Sequence, residues 1–162
     1  MFDGLTTIWH ALEGSPFGAA IRESLWLFPA IETLHLLAMA VLVVTIAAFD
    51  LRLLGVCLRT VPVQTLAQRV FPWVWAAFLV QLITGFLLFS SEATKMAVNP
   101  AFRLKMLLIV LAGLHALIFR LIASRRMPAW NAATPILARL SGALSLALWI
   151  GVVAAGRWIG FI

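Results

Sequence analysis

Glu32 and His35 are three positions apart inside a long run of apolar residues, where ionisable side chains are rare. At this spacing they lie on one face of a helix. A carboxyl group beside an imidazole can exchange protons, and Glu-x-x-His also supplies iron ligands in di-iron carboxylate bundles. A di-iron site needs a second such pair and two more glutamates, which the apolar runs do not contain. The pair therefore indicates proton exchange or histidine ligation rather than a di-iron centre.

Four apolar stretches must position these side chains. They run over residues 25–49, 71–89, 102–123 and 136–162, and each is close to or above the ~20 residues that cross a bilayer core as a helix. The chain is 64% hydrophobic and 11% charged, with a mean hydropathy of +1.06, which a soluble domain of 162 residues cannot bury. We therefore predict one all-α domain over residues 1–162. It is a four-helix transmembrane bundle with spans at about 25–50, 71–90, 102–124 and 136–160.

Polar segments flank and join these spans. Residues 1–15 have the pattern of a short interfacial helix, and Ser15-Pro16 begins a second helix. Pro29 is expected to kink the start of the first span, whereas Asn99-Pro100 and Thr134-Pro135 are expected to cap the third and fourth spans. The third span is expected to end at 124–126.

The basic residues predict an orientation. The connections between spans 1 and 2 and between spans 3 and 4, with their flanking turns, hold seven arginines, against five basic residues on the opposite side. Positive residues favour the cytoplasmic side, so both termini are predicted to lie outside. The net charge of +6 is spread over the span ends and does not indicate nucleic-acid binding.

Two cations lie at the same predicted depth as Glu32. At a helical rise of about 1.5 Å per residue, Glu32 lies about 9 Å below the start of its span, and Lys105 and Arg157 lie about 8 Å from the ends of theirs. His35 is one turn deeper than Glu32. We predict one buried polar cluster of Glu32, His35, Lys105 and Arg157. The alternative is that Lys105 and Arg157 extend outward to lipid head groups.

The second span brings further polar residues toward this zone. Gln81, near the middle of the span, is expected to hydrogen-bond across helices. Thr84 and Gly85 reach the level of the predicted cluster from the other direction. Gly85, with Gly113 of the third span, also leaves space for a large ligand.

A second intramembrane histidine, His115, lies on the third span. His35 and His115 on two spans suggest the two metal ligands of a b-type haem, whose propionates Lys105 and Arg157 would neutralise. The predicted depths of the two histidines differ by about 9 Å for straight helices, and helix tilt absorbs only part of that difference. The alternative is that His115 is a core histidine bonded to a neighbouring carbonyl or hydroxyl group.

Charged residues recur near the predicted inner ends of the spans. Asp50 and Arg52 of the first span face the level of Arg120 and Arg139, which predicts an inner ion-pair network with a structural role.

Small residues recur at four-residue spacing on the fourth span, at Ala143, Ala147, Gly151 and Ala155. This pattern lets another helix approach closely. It predicts either an internal packing face or a contact with a second copy or another membrane protein.

Several of these segments resemble a family of small, functionally uncharacterised four-helix bacterial membrane proteins. The resemblance rests on S-x-W-x-F-P-x-I-E-x-x-H at 24–35, D-L-R-L-L-G at 50–55, N-P-x-F-x-x-K at 99–105 and G-R-W-I at 156–159. It implies the same fold and a multi-pass location in the inner (cytoplasmic) membrane of a bacterium. It also implies that Glu32, His35, Asp50, Lys105 and Arg157 act as one set, but it supplies no activity.

Three functions fit these residues. The first is electron transfer with a haem b in the bundle. The second is a small proton-linked transporter or channel, in which Glu32 and His35 exchange protons and Lys105 or Arg157 attracts an anion. The third is a membrane anchor or assembly subunit. No motif of a hydrolase, ATPase or dehydrogenase occurs in the sequence, and the single cysteine, Cys57, cannot form an internal disulfide.

Overall fold

The computed structural model describes residues 3–123, 127, 130 and 134–162, and the regular elements within 3–123 and 134–162 are α-helices. The helices are α1 (Asp3–Glu13), α2 (Pro16–Glu23), α3 (Leu27–Leu54), α4 (Val63–Ser91), α5 (Ala93–Val98), α6 (Pro100–Ala123) and α7 (Ile136–Trp158). Ser124, Arg125 and Arg126, at the predicted end of the third span, lie outside the described residues.

Four of these helices, α3, α4, α6 and α7, are long and apolar enough to cross a membrane. The prediction of an all-α bundle with four spans is therefore confirmed, and the chain is an integral, multi-pass membrane protein. The short helix α5, between the second and third spans, was not predicted.

Helix α4 begins at Val63, well before the predicted start of the second span. Val63, Leu66 and Ala67 are buried and pack with Phe49 and Leu53 of α3. Their spacing of three and four residues places them on one face, so tertiary packing extends the helix through a segment whose other positions are polar.

Two of the three helix caps predicted from the sequence are present. The Ser15 hydroxyl accepts from the Gly18 N–H at 3.1 Å, and the Asn99 side-chain oxygen accepts from the N–H groups of Ala101 and Phe102 at 2.9 and 3.1 Å. These contacts confirm both predicted caps. Thr134 does not cap α7, because the residue at the cap position is Pro135 and no side chain bonds there.

The two prolines near the starts of spans differ in effect. Pro29 is the third residue of α3, where a helix has unpaired N–H groups in any case, so its missing donor removes no intrahelical bond. Pro72 lies inside α4 and leaves the Gln68 carbonyl without its usual helical donor. The kink predicted at Pro29 therefore has no cause in the backbone hydrogen bonding.

The order of the spans across the bundle is α4, α3, α7, α6. Helix α3 packs along α4 on one side and α7 on the other, and α6 packs along α7. Helix α1 and the last residues of the chain lie at one end of the bundle, which we call the termini end: α1 packs on α5, and the Asn99 amide donates to the carbonyls of Ile159 and Ile162 at 3.2 and 2.7 Å. We call the opposite end the loop end.

The loop end holds a cluster of buried apolar side chains from α3, α4 and α7, with partly buried aromatic rings packed against it. Phe49 of α3 contacts Phe71 of α4 and Phe119 of α6, with ring centroids 5.1 and 6.0 Å apart. Gly55 ends α3 in the left-handed conformation that glycine adopts without strain. The buried Arg52 then donates from Nε to the Val61 carbonyl at 2.7 Å, which holds the connection between α3 and α4 against the core.

The small residues of α7 do not form one continuous face. Ala143 and Ala147 are exposed on the outer surface of the bundle, whereas Ala155 is buried. A Cβ at Gly151 would lie 3.1 Å from Leu108 of α6. The Gly151–Ala155 half of the predicted face is therefore used for internal packing, because a four-residue repeat drifts around a helix of 3.6 residues per turn.

Candidate functional site

A hydrogen bond between α3 and α4 lies inside the predicted polar zone. His35 Nδ1 and Thr84 Oγ1 are 2.8 Å apart, and Thr84 is 2% exposed. The Thr84 hydroxyl also donates to the Val80 carbonyl at 2.6 Å. A hydroxyl has one proton, so Thr84 must accept from His35, and Nδ1 of the imidazole carries the hydrogen. In the neutral ring, Nε2 is therefore the nitrogen with the free lone pair.

Two further α4 residues fix the position of His35. The Gln81 side-chain amide donates to the backbone carbonyl of His35, which confirms the predicted bond across helices. A Cβ at Gly85 would lie 3.3 Å from Cε1 of the imidazole. Gly85 therefore makes room for the His35 ring itself and not for a larger ligand.

Lys105 of α6 turns into the bundle. Its Cδ, Cε and Nζ atoms lie 3.6 Å from the position of a Cβ on Gly156 of α7, so the absence of a side chain at Gly156 leaves room for the lysine stem. Lys105 is half-buried and lies close enough to His35 for the two groups to interact electrostatically. It does not extend outward to the lipid head groups, which was the alternative prediction for this residue.

Side chains from all four spans line one small cavity next to these residues. Its volume is about 30 Å³, and its lining includes Leu42 of α3, Gln81 of α4, Lys105 of α6 and Val152 of α7. The lining is mostly apolar, and Lys105 and Gln81 supply its charged and amide groups. A cavity of this size holds a small ion or about two water molecules.

The other two members of the predicted cluster lie elsewhere. Glu32 is exposed on the surface of α3, and Arg157 is exposed with its guanidinium carbon 4.9 Å from the centre of the Phe161 ring. The prediction of one buried cluster of four is therefore wrong: Glu32 and Arg157 are exposed, and what remains of the cluster is the electrostatic interaction between His35 and Lys105. Two residues three apart on a helix still point about 60° apart, which is enough to put Glu32 outside and His35 inside.

His115 lies in a different pair of helices. Its Nε2 is 2.9 Å from the Ser141 hydroxyl of α7, whereas His35 bonds to α4. His115 is ten residues beyond Lys105 on α6 and therefore about 15 Å farther along the axis. The alternative prediction, a core histidine bonded to a neighbouring hydroxyl, describes this geometry.

Two haem ligands must reach one iron from opposite faces at the same level. His35 and His115 face different helices at different levels, and the cavity of about 30 Å³ is far smaller than a porphyrin. The pair does not fit one bis-histidine haem. In the described part of the chain, no three His, Cys, Asp or Glu side chains gather as metal ligands. Whether the protein binds a haem in another way stays a prediction.

The inner ion-pair network is also not formed by the described residues. Asp50 and Arg52 are buried, but Arg120 and Arg139 are exposed. Asp50 faces Ser145 of α7, while Arg52, two positions on, points to the connection between α3 and α4. Two positions correspond to about 200° around a helix, so the two charges are directed apart.

The ion pairs among residues 3–123 and 134–162 lie at the termini end and join Arg22 to Glu13, Arg22 to Glu23 and Lys95 to Glu92 at 3.6–3.9 Å. Glu13 also accepts hydrogen bonds from the N–H and the hydroxyl of Thr94 in α5. The Thr94 hydroxyl, the Thr94 N–H and Arg22 together hold the pKa of Glu13 below its usual value. These contacts attach the N-terminal helices to the ends of the spans.

Sequence reasoning missed the serines of α7. Ser141 bonds to His115, and Ser145, one turn later, faces Asp50. The two serines are four residues apart and lie on the same face of α7 as the buried Gly142 and Ala138. This spacing could have indicated them as buried polar residues.

Residues 27–162 match the model of DUF6644, a family of unknown function. The chain belongs to this family. The match begins at the first residue of α3, so it covers all four spans and leaves α1 and α2 outside. The prediction of membership in an uncharacterised family is confirmed at this level, while the motif pattern stays a prediction. No curated protein and no solved structure matches the chain.

Proposed function

We propose that this protein is a proton-linked transporter of small anions, in which Lys105 binds the anion and His35 exchanges the proton. The observation that carries the proposal is the cavity lined by side chains from all four spans, Lys105 among them. Binding sites in helix bundles lie between the helices, and an ionisable residue within a membrane span marks an ion or proton pathway.

The charge of Lys105 supports an anionic substrate. In the described part of the chain, the ion pairs involve Arg22 and Lys95, and Lys105 has no carboxylate partner. A lone cation within a span costs roughly 2.5–3.5 kcal/mol on insertion scales. A small anion in the adjoining cavity would compensate that charge, and the cavity volume limits the substrate to one of the size of chloride or formate.

The hydrogen bonding of His35 supports a role in proton exchange. Thr84 fixes the hydrogen on Nδ1, so Nε2 of the neutral ring is free to take a proton. Protonation would place a second positive charge near Lys105 and strengthen its hold on an anion, and loss of the proton would weaken it. Proton and anion would therefore bind together and move together, without net charge transfer.

Electron transfer through a haem has less support, because His35 and His115 do not face one iron position. An absorption spectrum of the purified protein tests that prediction, since a bound b-type haem gives an intense Soret band. The anchor function has no observation in its favour beyond the exposed apolar surface that every span presents to lipid.

The transporter proposal is tested in proteoliposomes that contain a pH-sensitive dye and an inward chloride or formate gradient. We expect the wild type to acidify the interior and the Lys105→Gln variant to do so at least tenfold more slowly. Lys95→Gln is the matched control, because Lys95 is the other lysine of the chain and is exposed in α5. Equal rates in the wild type, Lys105→Gln and protein-free liposomes would overturn the proposal.

A further inference from the structure

Asp50 is a buried acid that the proposed transport site does not use. It lies four residues before the end of α3, at the loop end, and is 3% exposed. Its Oδ2 atom is buried without a hydrogen-bond partner, and Ser145 of α7 lies within hydrogen-bonding reach of the carboxyl group. Among the acidic residues whose burial is described, Asp50 is the buried one.

The charged groups near Asp50 on each packed helix are engaged elsewhere. Arg52 on α3 donates to the Val61 carbonyl. His115 on α6 bonds to Ser141. The remaining arginines at this end, on α4, α6 and α7, are exposed: Arg69, Arg120 and Arg139. None of these described residues forms an ion pair with Asp50.

The lack of a positively charged partner among these residues favours a neutral carboxyl group over an ionised one. An unpaired carboxylate in an apolar interior is far more costly than a neutral carboxyl group whose hydroxyl lacks a hydrogen-bond partner, because the charge loses its hydration. A metal cation is a poor alternative, because α7 packs tightly here. A Cβ on Gly142 would lie 3.0 Å from the Asp50 carbonyl oxygen and 3.2 Å from the Leu53 Cβ. A proton is the cation that needs no cavity.

We infer that Asp50 holds a proton on Oδ2 and forms a second proton-binding site at the loop end, while Ser145 hydrogen-bonds to the other oxygen of the carboxyl group. Asp50 lies fifteen residues after His35 on α3, so the two proton-binding groups are about 22 Å apart along the axis. They would serve opposite sides of the membrane. That role rests on the proposed function, but the protonation of Asp50 does not.

The test is an infrared spectrum of the protein in lipid at pH 7. We expect the C=O stretching band of a protonated carboxyl group, shifted in D₂O and absent from Asp50→Asn. Glu92→Gln, which removes an ion-paired acid at the termini end, is the control and keeps the band. Ser145→Ala leaves the acid in place and removes its hydrogen bond, so the band should move to higher frequency. This variant therefore tests the assignment to Asp50 even if Asp50→Asn does not fold.

A wild-type spectrum without this band, or a band that survives in Asp50→Asn, would overturn the inference. The result is independent of transport. A band assigned to Asp50 without anion-driven flux would support the proton site and contradict the transporter proposal. Flux without the band would support the transporter proposal and contradict the proton site.

Discussion

At the scale of single residues, the site is defined by the direction of hydrogen bonds rather than by the number of charges. The Thr84 hydroxyl donates within its own helix and accepts from His35. This arrangement fixes the histidine tautomer, in the way that metal and catalytic histidines are oriented by the partner of their second nitrogen. A threonine inside a span therefore sets the chemistry of the ionisable group on the next helix.

Glu13 gives a pH prediction at the same scale. Thr94 and Arg22 hold its pKa below the unfolded value, so its contribution to stability is present above the unfolded pKa and is lost as the pH falls through the lowered value. We expect Glu13→Gln to lower the thermal midpoint by a few degrees at pH 7. The difference from wild type should shrink as the pH falls through the lowered pKa of Glu13.

The control for this prediction is Glu23→Gln, because Glu23 contacts the same arginine at 3.9 Å but its side chain is 74% exposed. Its thermal midpoint should stay close to that of the wild type at both pH values. A Glu13→Gln difference that persists unchanged at low pH would show that the charged carboxylate is not what attaches α1 to α5.

The sequence predicted the depth of the polar residues better than their grouping. Depth along each span put His35 and Lys105 at neighbouring levels, because a helix rises uniformly. Depth says nothing about rotation, so Glu32 and Arg157 were grouped with them although both are exposed. The rotation of each helix about its axis depends on which helices it packs against. The contacts of Ser141 and Ser145 could not be predicted either without knowing which helices are neighbours.

At the scale of helices, the crossing of α3 and α7 depends on Gly142. An added Cβ would meet the Asp50 carbonyl oxygen at 3.0 Å, and backbone atoms cannot move aside cheaply. We expect Gly142→Ala to destabilise the protein by about 1–3 kcal/mol. The loss is measured as a lower thermal midpoint in detergent.

Gly113→Ala is the matched control. Gly113 lies on α6 with nothing within 4 Å of its added Cβ, so alanine there should be neutral or stabilising by up to about 1 kcal/mol through the backbone. Equal destabilisation by both substitutions would mean that the close approach of α3 and α7 is not what Gly142 provides.

Helix boundaries were predictable where a side chain marks them. Asn99 and Ser15 cap helices as their positions indicate, because a short polar side chain bonds the free N–H groups of the first turn. The early start of α4 was not predictable from hydropathy, since its first turns are polar on one side. Burial of Val63 and Leu66 against α3 decides it.

At the scale of the whole molecule, polar groups occupy two levels of the bundle. His35, Thr84 and Lys105 lie toward the termini end, and Asp50 lies at the loop end with Ser145. Apolar residues such as Leu42 and Val152 separate them, and the small cavity lies among these residues. A transporter needs such a barrier, because continuous water would let protons leak without the anion.

The coupling of proton to anion is the claim on which this account depends most. Simultaneous recording of chloride and proton entry into proteoliposomes, without an ionophore, tests it directly. We expect equal entry of the two ions in the wild type and in His10→Gln, whose histidine is exposed in α1. In His35→Gln we expect both to fall together, with chloride entry partly restored when a potassium ionophore compensates the charge. Unchanged, equal entry of both ions in His35→Gln would contradict the account.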